Sequence, residues 1–372
     1  MNANKIRKSS LMSACVLGLA GTAAMDQALA ESYTAVELAP GTVAGTVASS
    51  ATTISSGNAA GFVTEAGSTH AALWNGVDMF DLHPAFLADA TNQIKGRSTV
   101  QGSAQDLQVG WGIGPGSNNR NIPLAWRGSA ASATALTIPF ANAGGQALAT
   151  DGNQIVGYGI PLVKDGTATG PARALAWDAA SGVASDLGAN AQLLGVSGGQ
   201  QVGYVLKPLQ NAALWNGSAN SLVSLHPKNA VISVAYATDG FTQVGYSGFD
   251  VRVRAEANKG NKDKRFNYAY VWSGSADSAV NIHAAGFAHS YATAIKGQWI
   301  AGYGADETRL GTPAYYHAIV WDAAYQATDL NAVLPAPYVG SQALAVDEQG
   351  NVAGYAMTAT GYRQAVVWMR NP

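Results

Sequence analysis

Six histidines, several arginines and lysines, and a set of tyrosines are the residues of this 372-residue chain whose types could do chemistry. His226, His289, Tyr291 and His317 have side chains that take or return protons, as general bases and acids do. Arg252, Arg254 and Arg309 could neutralise a carboxylate, sulfate or phosphate. Tyr315, Tyr316 and His283 would add hydrogen bonds and stacking surface beside them. Arg252 and Arg254 open the most basic stretch, Ser247 to Asn267. Lys259, Lys262, Lys264 and Arg265 follow there, with Glu256 and Asp263 among its few acids. That stretch reads as a long insertion, either a solvated mobile loop or an anion-binding flap. The next loop, Ala305 to His317, adds Asp306, Glu307, Arg309, Tyr315 and Tyr316.

Several site types are absent from the sequence. It has no phosphate-binding Gly-rich loop, no His-Glu-x-x-His and no Asp-rich calcium loop. His283 and His289 stand six apart, a spacing that does not argue for a metal. No pair of carboxylates is singled out for glycoside hydrolysis. Any cofactor is therefore unspecified.

The elements that must position these residues are repeats. A pair of small or apolar residues precedes tryptophan seven times, at Trp74, Trp126, Trp177, Trp215, Trp272, Trp321 and Trp368. Glycine precedes an aromatic seven times, at Phe62, Trp111, Tyr158, Tyr204, Tyr246, Tyr303 and Tyr355. The two series interleave throughout and advance by about 49 residues per copy, the range of propeller repeats. Each copy reads as four short strands. A small-residue strand runs into a turn such as Asp151-Gly152 or Asp239-Gly240, where glycine accepts positive φ. The Gly-aromatic strand and the tryptophan strand follow. The fourth strand ends in Leu-His-Pro or a relative, as at Leu82-His83-Pro84 and Leu225-His226-Pro227. No long amphipathic helical period appears.

The pattern predicts an all-β fold: a seven-bladed β-propeller of four-stranded antiparallel blades. The chain stops just after Trp368, so its last unit lacks a fourth strand. The segment from Thr34 to Pro40 resembles the missing strand, so the ring is expected to close by pairing it with Gln364 to Trp368. The motif tryptophans and post-glycine aromatics, present in every copy, are expected to be scaffold. The motif glycines should mark close approach or a bulge. In such a meander the loops after the second and fourth strands open on one face. All six histidines fall on or beside those loops, so that face is the expected working surface. His83 and His226 have the alternative of capping their Leu-His-Pro turns.

The chain resembles the HAF family of extracellular repeats, in which a His-Ala-aromatic-Leu-Trp segment precedes Asp-Leu and a Gly-Gln-Val-Val-Gly segment follows. The residues that carry this are His70-Ala71-Ala72-Leu73-Trp74, His317-Ala318-Ile319-Val320-Trp321, Thr328-Asp329-Leu330-Asn331 and Gly350-Asn351-Val352-Ala353-Gly354. The resemblance covers residues 33 to 372 and implies an extracytoplasmic propeller without a specific activity.

Composition agrees with export. Lys5, Arg7 and Lys8, the apolar run from Leu11 to Ala24, and Ala28-Leu29-Ala30 have the layout of a cleaved signal, so residues 1–30 are expected to be removed. The apolar run falls short of the ~20 residues of a membrane span. Cys15, the single cysteine, lies inside it, so residues 31–372 would form one propeller domain without disulfides. A net charge of −2 gives no global field for nucleic acid or anionic lipid. The expected function is an exported, periplasmic or secreted binding module. Its ligand would be an extracellular glycan or protein, with a polysaccharide favoured. The alternative is an extracytoplasmic lyase acting on an anionic, uronate-containing glycan, with a His or Tyr base and an Arg that neutralises the carboxylate.

Overall fold

The protein was analysed as a computed structural model that describes residues 32–39, 47–65, 67–89, 91–93, 95–162, 167–254 and 261–371. The expected signal, residues 1–30, lies outside the described residues. The fold is all-β. Short 3-10 turns are the only helical elements among the described residues, and none is long and apolar enough to cross a membrane.

Every repeat forms a sequential antiparallel meander. The first comprises Ala48–Ser55, Asn58–Glu65, Ser68–Asn75 and Asp78–Asp81. The fifth comprises Ile232–Thr238, Gln243–Arg254, Asn261–Trp272 and Val280–Asn281, and the sixth His289–Lys296, Trp299–Ala305, Tyr316–Trp321 and Ala327–Asp329. The last has three strands of its own, Tyr338–Val346, Val352–Thr358 and Arg363–Arg370. Its fourth is Tyr33–Glu37, antiparallel to Arg363–Arg370 with Ala35 opposite Trp368. The ladders form six sheets rather than seven. One is eight-stranded because a single parallel pair, Thr69 with Arg97, joins the first meander to the second.

The repeated residues account for the core. All seven motif tryptophans are fully buried. Five of them donate an indole N–H to a carbonyl of the preceding unit or its link: Trp126 to Leu82 at 2.9 Å, Trp321 to Ile282 at 2.8 Å, Trp368 to Leu330 at 3.1 Å, and Trp74 and Trp177 likewise to Ala39 and Thr137. Each indole thereby packs one meander on the next and satisfies its own polar atom.

The motif glycines have an equally uniform cause. Opposite each lies a β-bulge in the first strand, as between Leu193 and Gly195 facing Gly203. A Cβ on Gly203 would stand 1.9 Å from the Gln192 carbonyl oxygen, and one on Gly302 1.9 Å from that of Tyr291. Only glycine tolerates that approach. The extra residues are Thr52, Gln101, Leu148, Leu194, Tyr236, Thr293 and Leu344, left out of register in their ladders. All seven line one cavity of about 380 Å³, together with neighbours from the same first strands.

Candidate functional site

The basic stretch of the fifth repeat is not an irregular loop. The second and third strands run on for 12 residues each, paired from Gln243–Trp272 out to Arg254–Asn261. The cause is a strict alternation from Phe249 to Arg254, apolar then polar, which is strand periodicity. Residues 255–260, at the tip, lie outside the described residues. Asp250 and Arg265 face each other across the ladder and form a two-point ion pair at 2.8 and 3.1 Å. That contact holds the Asp250 carboxyl below the usual range. Arg252 is exposed, and Arg254 ends its strand opposite Asn261.

Phe249, Phe266 and Tyr268 lie along one side of this hairpin and stack on one another. Phe266 also stacks on His289 at 5.7 Å. Lys264 is ion-paired to Glu307 in the next repeat, and Glu307 accepts from His289 Nε2 at 2.9 Å. The Lys264 ammonium first, and His289 second, lower the Glu307 carboxyl. These contacts anchor the hairpin against the sixth meander.

The histidines divide into two groups. His83, His226 and His283 follow the fourth strands and share one device. The Nε2–H donates to a loop carbonyl: Lys95, Ala230 and Phe287, each at 3.0 Å. A carbonyl only accepts, so this nitrogen carries the proton and Nδ1 is the acceptor. Nδ1 then takes the hydroxyl of a serine in the next first strand: Ser98, Ser233 and Ser290, at 2.8, 2.7 and 2.7 Å. Each serine oxygen accepts a backbone N–H from the previous third strand, those of Ala71, Ala212 and Ala269. The relay thus ties adjacent meanders together. In the sixth repeat Asn331 replaces histidine, taking the Ser341 hydroxyl at 2.8 Å, while Ser341 receives the Ala318 N–H. Burial lowers the pKa of His83, with His70 adding to it, and burial lowers that of His283.

This corrects the reading of His226 and His283. Both nitrogens of each are engaged, so neither ring has a lone pair to offer a substrate in this arrangement. His289 is similarly engaged, receiving the Asn267 N–H at Nδ1 (3.1 Å) while Nε2 serves Glu307. The Tyr291 hydroxyl accepts from Asn267 Nδ2 at 2.8 Å, and burial raises its pKa, which does not favour a phenolate base.

His70 and His317 occupy equivalent places, four residues before the motif tryptophan, each facing an aspartate from the fourth strand. His70 Nδ1 lies 2.9 Å from Asp81 and stacks on His83 at 4.1 Å; the Asp81 hydrogen bond raises its pKa. His317 Nδ1 lies 2.7 Å from Asp329 Oδ2, and its Nε2 lies 3.3 Å from Arg309 Nη1. Asp329 is held in turn by the Asn331 N–H at 2.8 Å. Phe287 meets the His317 ring edge-on at 5.4 Å.

Of the expected ligand-binding residues, Tyr315 packs edge-on against Tyr316 at 4.5 Å, and Tyr316 against Tyr303 at 5.5 Å. Tyr303 stacks on Tyr291 at 4.8 Å. Strand alternation puts Tyr316 and His317 on opposite faces of the sixth sheet. The structure therefore joins Arg309, His317 and Asp329 in one cluster and Tyr291, Tyr303, Tyr315 and Tyr316 in a neighbouring one.

Sequence reasoning missed the serine partners and Asn267, and it named Glu307 and Asp329 without assigning them the histidines they hold. The serine signal was present: His226 to Ser233 and His283 to Ser290 have the same spacing of seven. Gly195-Val196-Ser197-Gly198-Gly199 has the spacing of a nucleophile elbow, but Ser197 and Gln200 pair across a β-hairpin turn, not a strand-to-helix turn. Among the described residues no group of three or more His, Cys, Asp or Glu is placed to hold a metal ion.

No protein-family model matches the chain, and no curated protein matches it. By structure it is similar to the β-propeller domain of the Trilobed protease from Pyrococcus furiosus, which has an open velcro topology. The identity is 12% and the TM-score 0.52, covering 85% of this chain and 91% of that one. Oligogalacturonate lyase in complex with manganese aligns at 12% identity and TM-score 0.48, over 84% of this chain and 86% of that one. TolB from Acinetobacter baumannii aligns at 10% and 0.42, over 84% and 79%. At such identities the likeness concerns fold alone, and the fold is of β-propeller type.

Proposed function

We propose that the chain is an exported seven-bladed β-propeller, related to the HAF repeats, that binds a polysaccharide across the loop face of its fifth and sixth blades. Seven meanders and one cavity touched by all seven first strands support the blade count. Closure is supported by Tyr33–Glu37 completing the last meander and by contacts from that meander to the first, such as the Ala365 N–H to Ser49 Oγ at 2.8 Å. Export rests on the sequence of residues 1–30, and N-terminal sequencing of the protein recovered outside the cytoplasm should begin at Glu31.

One observation carries the binding reading. Five of the six histidines have both ring nitrogens hydrogen-bonded within the protein, whereas Arg252 and Arg309 stay exposed, Arg252 on the hairpin that carries the stacked Phe249, Phe266 and Tyr268, and Arg309 in the loop that leads to Tyr315 and Tyr316. Aromatic faces and guanidinium groups together suit sugar rings that carry acidic substituents. The test is affinity electrophoresis against neutral and acidic polysaccharides. Retardation by an acidic polymer, weakened about thirtyfold by Arg309→Ala with Tyr315→Ala, is expected, since each such contact contributes on the order of 1 kcal/mol. Indifference to every polymer would end this reading.

A further inference from the structure

We infer that His317 and Arg309 form a base and a carboxylate clamp that together remove a proton from the carbon next to a carboxylate, so that the bound polymer is a polyuronate and is cleaved by β-elimination. This rests on the reading that the loop face binds a polysaccharide.

The protonation pattern follows from the partners. Arg309 has only donors, so the His317 Nε2 it faces at 3.3 Å is the unprotonated nitrogen. Nδ1 then carries the proton and donates it to Asp329 Oδ2 at 2.7 Å. Asp329 is itself fixed through its other oxygen by the Asn331 N–H. An aspartate behind Nδ1 that sets the tautomer and aims the opposite nitrogen outward is the arrangement that makes imidazole a directed base.

The other histidines lack this feature. His83, His226 and His283 give Nδ1 to a serine hydroxyl, and His289 gives Nδ1 to a backbone N–H. His70 has its own aspartate, but its second nitrogen looks at Glu65, 3.7 Å away, not at a cation. His317 alone presents its basic nitrogen to an exposed, replaceable side chain: Arg309 is half-exposed, and its link to Asp306 is long, at 3.5 Å.

That neighbour defines the substrate. A guanidinium prefers the two oxygens of a carboxylate to one imidazole nitrogen. A uronate carboxylate on Arg309 would displace the Arg309–His317 contact, free Nε2, and bring C5, the carbon bearing the carboxylate, next to it. His317 Nε2 takes the C5 proton. The C5–H electron pair becomes the C4=C5 double bond while the C4–O4 bond breaks with its pair on oxygen. The imidazolium, held by Asp329, returns the proton to O4. Nothing is oxidised or reduced, and no further reactant enters. Arg309 neutralises the charge that builds on the carboxylate as the proton leaves. Tyr316, on the opposite face of the sheet, takes no part in the step.

The experiment incubates the full chain with polygalacturonate, alginate and, as a neutral control, dextran. It follows the ultraviolet absorbance of the unsaturated uronide and measures binding of each polymer in parallel. Absorbance should rise with a polyuronate and not with dextran. His317→Ala and His317→Gln should each lower the rate by at least about 100-fold, as expected for loss of a general base, while binding the polymer within about threefold and melting like the parent protein. Arg309→Ala should weaken both rate and binding. Asp329→Asn, at a positioning residue, should lower kcat with KM nearly unchanged. A polyuronate that binds but yields no unsaturated product overturns the inference and leaves the binding reading intact. A rate unchanged by both His317 variants also overturns it. Failure to bind any polymer removes the binding reading and this inference together.

Discussion

Ser233→Ala gives the sharpest test of the histidine–serine relay, because one oxygen atom of the fifth repeat serves two partners from the preceding repeat and its link. Ser233 is fully buried, and its oxygen accepts the Ala212 N–H at 2.9 Å and donates to His226 Nδ1 at 2.7 Å. Removing it strands a backbone N–H on a residue that is itself fully buried. An unpaired buried donor costs about 1–3 kcal/mol, and the lost hydroxyl–imidazole bond adds about 0.5–1.5. The variant should therefore unfold with about 2–4 kcal/mol less stability in urea, at an unchanged denaturant slope. His226→Leu should cost less, because the Ser233 oxygen would still hold the Ala212 N–H. The double variant should fall short of the sum by about 1 kcal/mol, since the partners are coupled. Hydrogen exchange at the Ala212 amide gives a local readout, and its protection should drop by more than the global loss accounts for. A loss under about 0.5 kcal/mol, or an Ala212 amide as slow as before, would refute the relay as a link between blades. Ser341→Ala should behave like Ser233→Ala, although its partner is Asn331.

The indole of Trp272 has no hydrogen-bond partner among the described residues, whereas that of Trp321 donates to the Ile282 carbonyl. Trp272→Phe should therefore be the milder of the two tryptophan-to-phenylalanine changes by about 1 kcal/mol in thermal or urea melts. Gly302→Ala places a methyl 1.9 Å from the Tyr291 carbonyl and should destabilise by about 1–3 kcal/mol or more, as overpacking against backbone does. Stability should also depend on pH. His83 and His283 have folded pKa values below the ordinary 6.5, so the unfolded chain binds more protons there. Their contribution is complete above that value and is lost as pH falls through it toward the folded values. His70, raised by Asp81, has the opposite sign: it stabilises below 6.5 and loses that contribution as pH rises through its folded value. Melting temperatures across mildly acidic pH should fall for the parent protein, and the fall should be shallower in His283→Gln.

The repeat scaffold could be read from the sequence because its causes recur within each copy. A tryptophan that must fill the space between meanders, and a glycine that must lie against a bulged carbonyl, are required at the same register every time. The chemistry was less legible because it depends on partners outside the copy. The role of His226 is decided by Ser233 and Ala212, in two different meanders, and no property of His226 itself separates it from His317. The fifth repeat was misread for a local reason. The charges of Arg252, Lys264 and Arg265 drew attention away from the alternation of Phe249, Val251 and Val253, which is the strand signal. The pairing of Tyr33–Glu37 with the last strand was legible because an absent fourth strand at one end left a matching segment unexplained at the other.

That pairing has a consequence for how the chain is made. The Gln364 side chain donates to the Leu38 carbonyl across 326 residues of sequence. During synthesis the strand Tyr33–Glu37 therefore emerges long before its neighbour, Arg363–Arg370. Every intermediate length carries an open edge on the early strand and another on whichever meander was completed last. Holding the partnerless strand to five residues, with Glu37 at its end, limits how well it can template another chain while it waits. A chain shortened by its last strand would be caught in that waiting state with no means of leaving it.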